Sequence, residues 1–163
     1  SANTRKDAAK ENILSVKQNH QVFRQIIDEA FNQGNYSVLY DRVHPDFIEH
    51  QFGLHPTIEG MKGDIQFLRK SFPDFTLTIE DLVEDGDKVW ARMTARGTNL
   101  GGFMGPPNGK SFAVTVFDTG RFASGKLVEH WGSPDRFALL TQLGLLPMPA
   151  QESTPKTQPL LDN

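Results

Sequence analysis

An α+β fold, a curved antiparallel sheet with helices packed on one side, is predicted by three features of this 163-residue chain. Apolar residues recur at helical spacing through the first 72 positions. The spacing then changes to period two. Gly- and Asp-rich turns separate the period-two runs. A sheet of this kind, closed by helices, leaves a cone-shaped interior that can hold one small molecule.

Each element has its own signal. From Asn12 to Phe31, Ile13, Val16, Phe23, Ile26, Ile27, Ala30 and Phe31 fall on one helical face, and Gly34 suits the C-cap. Val38, Leu39 and Val43 predict a short second helix, ended by the His44-Pro45 step. Phe47 to His50 reads as a short extended piece. Met61, Ile65, Leu68 and Phe72 mark a third helix, stopped by Pro73. Then Phe75, Leu77 and Ile79 alternate with polar residues, and Asp85-Gly86-Asp87 turns the chain into Lys88 to Thr98. Gly101 to Lys110 is a Gly- and Pro-rich hairpin loop with the length of a lid. Ser111 to Phe122 and Lys126 to Trp131 complete the sheet, and Arg136 to Leu143 closes the fold as a helix.

Composition bounds the function. The length fits a single domain, residues 1–146, followed by a Pro-, Gln-, Ser- and Thr-rich tail, 147–163, expected to be flexible. A net charge of −3 argues against nucleic acid or an anionic membrane as partner, because both select basic surfaces. No apolar run has the length of a membrane span. The chain has no cysteine, which removes disulfides, thiol catalysis and thiolate metal sites. No secretory leader is legible, and a cytoplasmic location is the expectation.

The hairpin around Ala123-Ser124-Gly125 carries the chemistry. Gly125 suits the left-handed position of a type I turn with a G1 bulge. In that register Phe122 faces Lys126 and Asp118 faces His130, with Val128 on the same face. A carboxylate accepting from one imidazole nitrogen fixes the tautomer and raises the basicity of the other, so Asp118 and His130 form a candidate acid–base pair. The plainer alternative is a polar pair on the sheet surface. Asp135 either lines the cavity mouth or caps the last helix. His44, His50 and His55 lack the periodicity of metal ligands, so no metal site is expected; His50 is instead a candidate to orient a substrate. Trp90, Met93, Phe103, Met104, Phe112, Phe117 and Trp131 read mostly as core, yet they also suit a hydrophobic ligand. Of these, Trp90, Phe103, Met104 and Trp131 join His50 as candidate substrate-binding residues. The Gly-rich loop lacks the strand–loop–helix context of a phosphate cradle.

Several segments match one family in order and spacing. They are His44-Pro45-Asp46-Phe47-Ile48-Glu49-His50, Phe72-Pro73-Asp74-Phe75, Ile79-Glu80-Asp81-Leu82-Val83 and Gly86-Asp87-Lys88-Val89. Arg96-Gly97-Thr98, Phe103-Met104-Gly105, Gly125-Lys126-Leu127-Val128-Glu129-His130-Trp131 and Gln142-Leu143-Gly144 continue the match. The chain resembles the SnoaL-like polyketide cyclases of the nuclear-transport-factor-two-like superfamily. The resemblance implies a cone-shaped α+β barrel, a homodimer or homotetramer, an apolar pocket, and no metal or organic cofactor. It also implies chemistry of the cyclase, hydroxylase or isomerase type. Cyclases of the family use an Asp directly after Glu-His-Trp, with a His fourteen residues earlier. Those positions are Gly132 and Asp118 here, so the chain departs from the cyclase pattern at both.

The resulting expectation is a cofactor-independent enzyme acting on a hydrophobic, carbonyl-bearing molecule through Asp118, His130 and Asp135. Two other readings fit the same residues: a non-catalytic pocket for an apolar metabolite, and a dimer whose interior is filled by its own side chains.

Overall fold

In the computed structural model, residues 2–147 are described; residues 148–163, and with them nearly all of the expected tail, lie outside the described residues. Helix α1 (Ala2–Gln25) runs on into wider π-type turns over Ile26–Asn32. Then come α2 (Ser37–Arg42), β1 (Val43–Glu49) and α3 (Ile58–Ser71). Strands β2 (Thr76–Asp85), β3 (Lys88–Thr98), β4 (Ser111–Ala123) and β5 (Lys126–Pro134) follow, and α4 (Arg136–Gln142) closes the fold. The helices pack on a curved five-stranded sheet, as the change of period predicts.

The sheet order is β1-β5-β4-β3-β2. The four long strands form the expected antiparallel meander, but β1 joins the edge parallel to β5, so the sheet is mixed. A parallel neighbour needs a long crossover, and here residues 50–125 supply it. Strand β1 also begins earlier than expected. Helix α2 ends at Arg42, and His44-Pro45 lies inside the strand, in the stretch between Val43 and Ile48 where pairing with β5 is interrupted. Proline has no N–H to give a ladder, so it sits where the ladder is broken.

The core lies between the helices and the inner sheet face. Val89, Ala91, Met93 and Ala95 point inward from β3, opposite Leu39, Ile65 and Phe72 from the helical layer. Burying side chains of this size contributes roughly 1.5–3 kcal/mol each. Phe112 stands edge-on to Phe72 at 4.8 Å between ring centroids. Gly34 adopts φ +70° and returns its N–H to Ala30, the C-cap its position suggests, while Arg69 donates to the carbonyls of Phe31 and Asn32. No helix among the described residues is long and apolar enough to cross a membrane.

The β4–β5 hairpin differs from the sequence-based register. Ser124 (φ +51°) and Gly125 (φ +72°) form a two-residue loop with both residues left-handed, and Ala123 pairs with Lys126. Phe122 therefore faces Leu127, not Lys126. Beyond it the register shifts again, since Arg121 pairs with Glu129 and Val128 is the extra, bulged residue. Asp118 consequently faces Gly132, and His130 faces Gly120. The tighter loop and the bulge each displace the count by one. Two displacements restore parity, so Asp118 and His130 still share the inner face, now as diagonal neighbours, with Leu127 in place of Val128 beside Phe122.

Candidate active site

The inner face of the sheet opens on a cavity of about 540 Å³. Phenylalanines from both layers, among them Phe72, Phe75, Phe103 and Phe112, form much of its wall. Its polar lining falls into two groups. One is Glu49, Gln51, Asp118 and His130; the other is His55, Asp64 and Arg136.

The first group is a relay. Glu49 ends β1 directly beside His130 of β5, and its Oε1 lies 2.7 Å from His130 Nδ1. On the other side of the ring, His130 Nε2 lies 3.3 Å from Asp118 Oδ2. The side chains of Glu49, His130 and Asp118 are only 2%, 13% and 12% exposed. Burial pulls the imidazole pKa down, but hydrogen bonds to Asp118 and Glu49, and then their charges, outweigh it and push His130 from 6.5 up to about 10. At neutral pH the ring is therefore an imidazolium clamped between two carboxylates. The short Glu49 contact fixes the ring's orientation and with it aims the Nε2–H at Asp118. Asp118 Oδ1 is buried and has no hydrogen-bond partner.

The sequence-predicted residues divide clearly. Asp118 and His130 meet in the cavity, and Phe103 and Met104 line it. Phe103 packs on Phe72 at 5.1 Å, whereas Met104 is largely exposed and sits at the rim. Asp135 is outside the cavity. It caps α4 by accepting from the Ala138 N–H at 2.9 Å, the alternative its position offered, and contributes about 1 kcal/mol to the helix. His50 and Trp131 stack on one another on the outer sheet face, 4.6 Å apart and nearly parallel. Trp90 and Phe117 are also on that face, 53% and 58% exposed, so the expectation that they are core is corrected. They project outward because period two sends every second residue of β3 and β4 away from the helices. His44, His50 and His55 have separate partners: the Asp46 N–H, Glu129 and Asp64.

Glu49 and Gln51 are the members of the site that sequence reasoning missed. A signal for Glu49 existed. Phe47 is buried, and period two from Phe47 turns Glu49 inward and His50 outward.

The chain's sequence from residue 21 to residue 143 matches the family model described as SnoaL-like polyketide cyclase. Among solved structures it is similar to IdmH from Streptomyces antibioticus, a candidate polyketide cyclase. The identity is 38% over 78% of this chain and 99% of that one, with a TM-score of 0.70. It is similar to TsrD from Streptomyces laurentii at 32% identity over 80% of this chain and 97% of that one, with a TM-score of 0.72. AclR from Streptomyces galilaeus, a candidate hydroxylase, shares 27% identity over 82% of this chain and 89% of that one, TM-score 0.72. No curated protein sequence matches.

Proposed function

The chain belongs to the SnoaL-like polyketide cyclase family, and from that premise we propose that it is a cofactor-independent acid–base enzyme acting on a hydrophobic, carbonyl-bearing small molecule. The observation that carries this reading is Asp118. One carboxylate oxygen is held by the His130 imidazolium, and the other lies buried and unpartnered in a residue that lines an apolar cavity.

A carbon acid beside a carbonyl needs a positioned base and a way to spread the developing charge. In this reading Asp118 Oδ1 takes the proton from the carbon next to the substrate carbonyl, leaving an enolate. The enolate carbon forms a bond to a second carbonyl carbon of the same molecule. The alkoxide produced takes the proton back from Asp118, so base and acid are one residue and no electrons are exchanged with a third party. His130, held by Glu49, keeps a positive charge beside Asp118 throughout and offsets the negative charge that moves from carboxylate to substrate. The phenylalanine walls exclude water, which strengthens those interactions and protects the enolate from solvent protons. The departure at Gly132 is accommodated because the base sits at Asp118.

A panel of polyketide-like β-ketoesters tests the proposal. Wild-type protein should convert at least one of them, and Asp118→Asn should lower turnover roughly 10²–10⁴-fold with the far-UV spectrum and melting retained. Unchanged turnover in Asp118→Asn would remove Asp118 from the role. Saturable binding with no conversion would assign the cavity to sequestration instead.

Of the homodimer or homotetramer that the family resemblance implies, we propose the dimer, formed through the outer sheet face, where exposed Val83, Trp90 and Phe117 present apolar surface for a second copy. Light scattering should find a dimer for the wild type and a monomer for Trp90→Asp; a monomeric wild type would refute this assignment.

A further inference from the structure

Over Gly132 of β5 two side chains converge, Asp118 from β4 and Gln51 from the loop that follows β1. Its backbone is not in the left-handed region that favours glycine, so conformation does not account for its missing side chain. Space does. A Cβ at this position would stand 2.0 Å from Gln51 Oε1 and 2.6 Å from Asp118 Oδ1, closer than any real contact. The Gln51 amide and the free oxygen of Asp118 thus converge on the same point.

Gln51 is tied to the relay at its other end as well. Its backbone N–H donates to Glu49 Oε1 at 2.8 Å, the same oxygen that meets His130 Nδ1. Glu49, His130, Asp118 and Gln51 therefore cluster at the polar end of the cavity, which all four line. Within that cluster the approach of Gln51 to Asp118 over Gly132 is electrically incomplete. Oε1 and a carboxylate Oδ1 are both acceptors, and Asp118 Oδ1 is buried without a donor. Two arrangements repair it. The carboxyl carries a proton on Oδ1 and donates to Oε1, or the amide turns end over end and Nε2 donates to the carboxylate. The two ends of a primary amide are nearly the same size, so the same pocket accepts both.

We propose that Gln51 is a positioning residue for Asp118 that serves it in both protonation states, Nε2–H donating to the carboxylate and Oε1 accepting from the acid after a half-turn of the amide, in space that Gly132 leaves open. The inference rests on the acid–base reading of Asp118 and adds to it the device by which one residue is held in place both as base and as acid. A fixed donor would favour the ionised form alone, and a fixed acceptor the protonated form alone. A rotating amide follows the proton. The carboxyl is never left without a partner, whether or not it is holding the substrate's proton.

The test is a titration of the full chain by NMR, reading the Gln51 side-chain ¹⁵N–¹H₂ resonances and the Asp118 carboxyl ¹³C resonance together. The two should move with one common midpoint, and Asp118→Asn should flatten the Gln51 curve. Gly132→Ala should abolish the Gln51 response and lower the melting temperature, and adding Gln51→Ala to Gly132→Ala should recover part of that loss, the clash with Asp118 remaining. A Gln51 amide that stays silent while Asp118 titrates would overturn the proposal, as would a Gly132→Ala variant in which the Gln51 response persists. These readouts need no substrate. Co-titration together with undiminished turnover in Asp118→Asn would uphold the Gln51 contact and reject the acid–base role of Asp118, so the two failures are distinct.

Discussion

Two histidine–carboxylate pairs sit back to back on the edge of this sheet, built from adjacent residues of the same two strands. On the inner face His130 meets Glu49 at 2.7 Å; on the outer face His50 meets Glu129, also at 2.7 Å. The contact distance is the same and the consequence is not. The inner pair is nearly sealed, and with Asp118 on the far side of the ring its imidazole is pushed up to about 10. The outer pair has His50 38% exposed and stacked on Trp131, and Glu129 is shared with Arg121 at 2.7 Å. There the visible effect is on the acid, whose pKa is held below the usual carboxylate range by the hydrogen bond from His50 first and from Arg121 second. Water can solvate the outer charges if the pair opens. The inner charges have only one another, and there two carboxylates together hold a proton on the imidazole against the opposing effect of burial.

The strongest way to break this comparison is with pH. His130 binds its proton more tightly folded than unfolded, so its stabilising contribution is fully present below about pH 6.5 and is lost as the pH rises through about 10. Urea unfolding should show a loss on the order of 5 kcal/mol across that window, and His130→Asn, which cannot titrate there, should not. An NMR midpoint for His130 near that of a free histidine would end the distinction.

Next in size is Glu49→Leu. Removing one partner of a buried, charged pair should cost about 3 kcal/mol in denaturant unfolding, with the His130 midpoint displaced downward. A cost near zero would mean that Asp118 alone holds the ring. The smallest effect is expected from Glu129→Gln on the outer face. Its melting temperature, read in the monomeric Trp90→Asp background, should stay within experimental scatter of that background, because pairs open to solvent contribute little; a large drop there would put the outer pair on the same footing as the inner one.

How legible all this was depended on sequence distance. The helices and the meander are local patterns, and Val89, Ala91, Met93 and Ala95 point inward as their alternation says. The pairing of Asp118 with His130 spans one hairpin and survived two register errors because the errors summed to an even number. Glu49 and His130 are 81 residues apart, and nothing local indicates that β1 lies parallel to β5. Gln51 was invisible for a related reason. Its significance depends on an absent side chain at Gly132 and on the direction Asp118 takes, which are facts of packing alone. Trp90 and Phe117 were misplaced because composition counts aromatics without regard to which side of a strand they occupy.

The bulged Val128 has an evolutionary consequence. It holds Glu129 outward and His130 inward behind Leu127, so a β5 that kept all its residues but paired without the bulge would carry Glu129 to the inside and His130 to the outside, trading an imidazole for a second buried acid at the same place. A lineage that straightened the strand here would have to lose one residue along with the bulge, or lose its chemistry while keeping its fold.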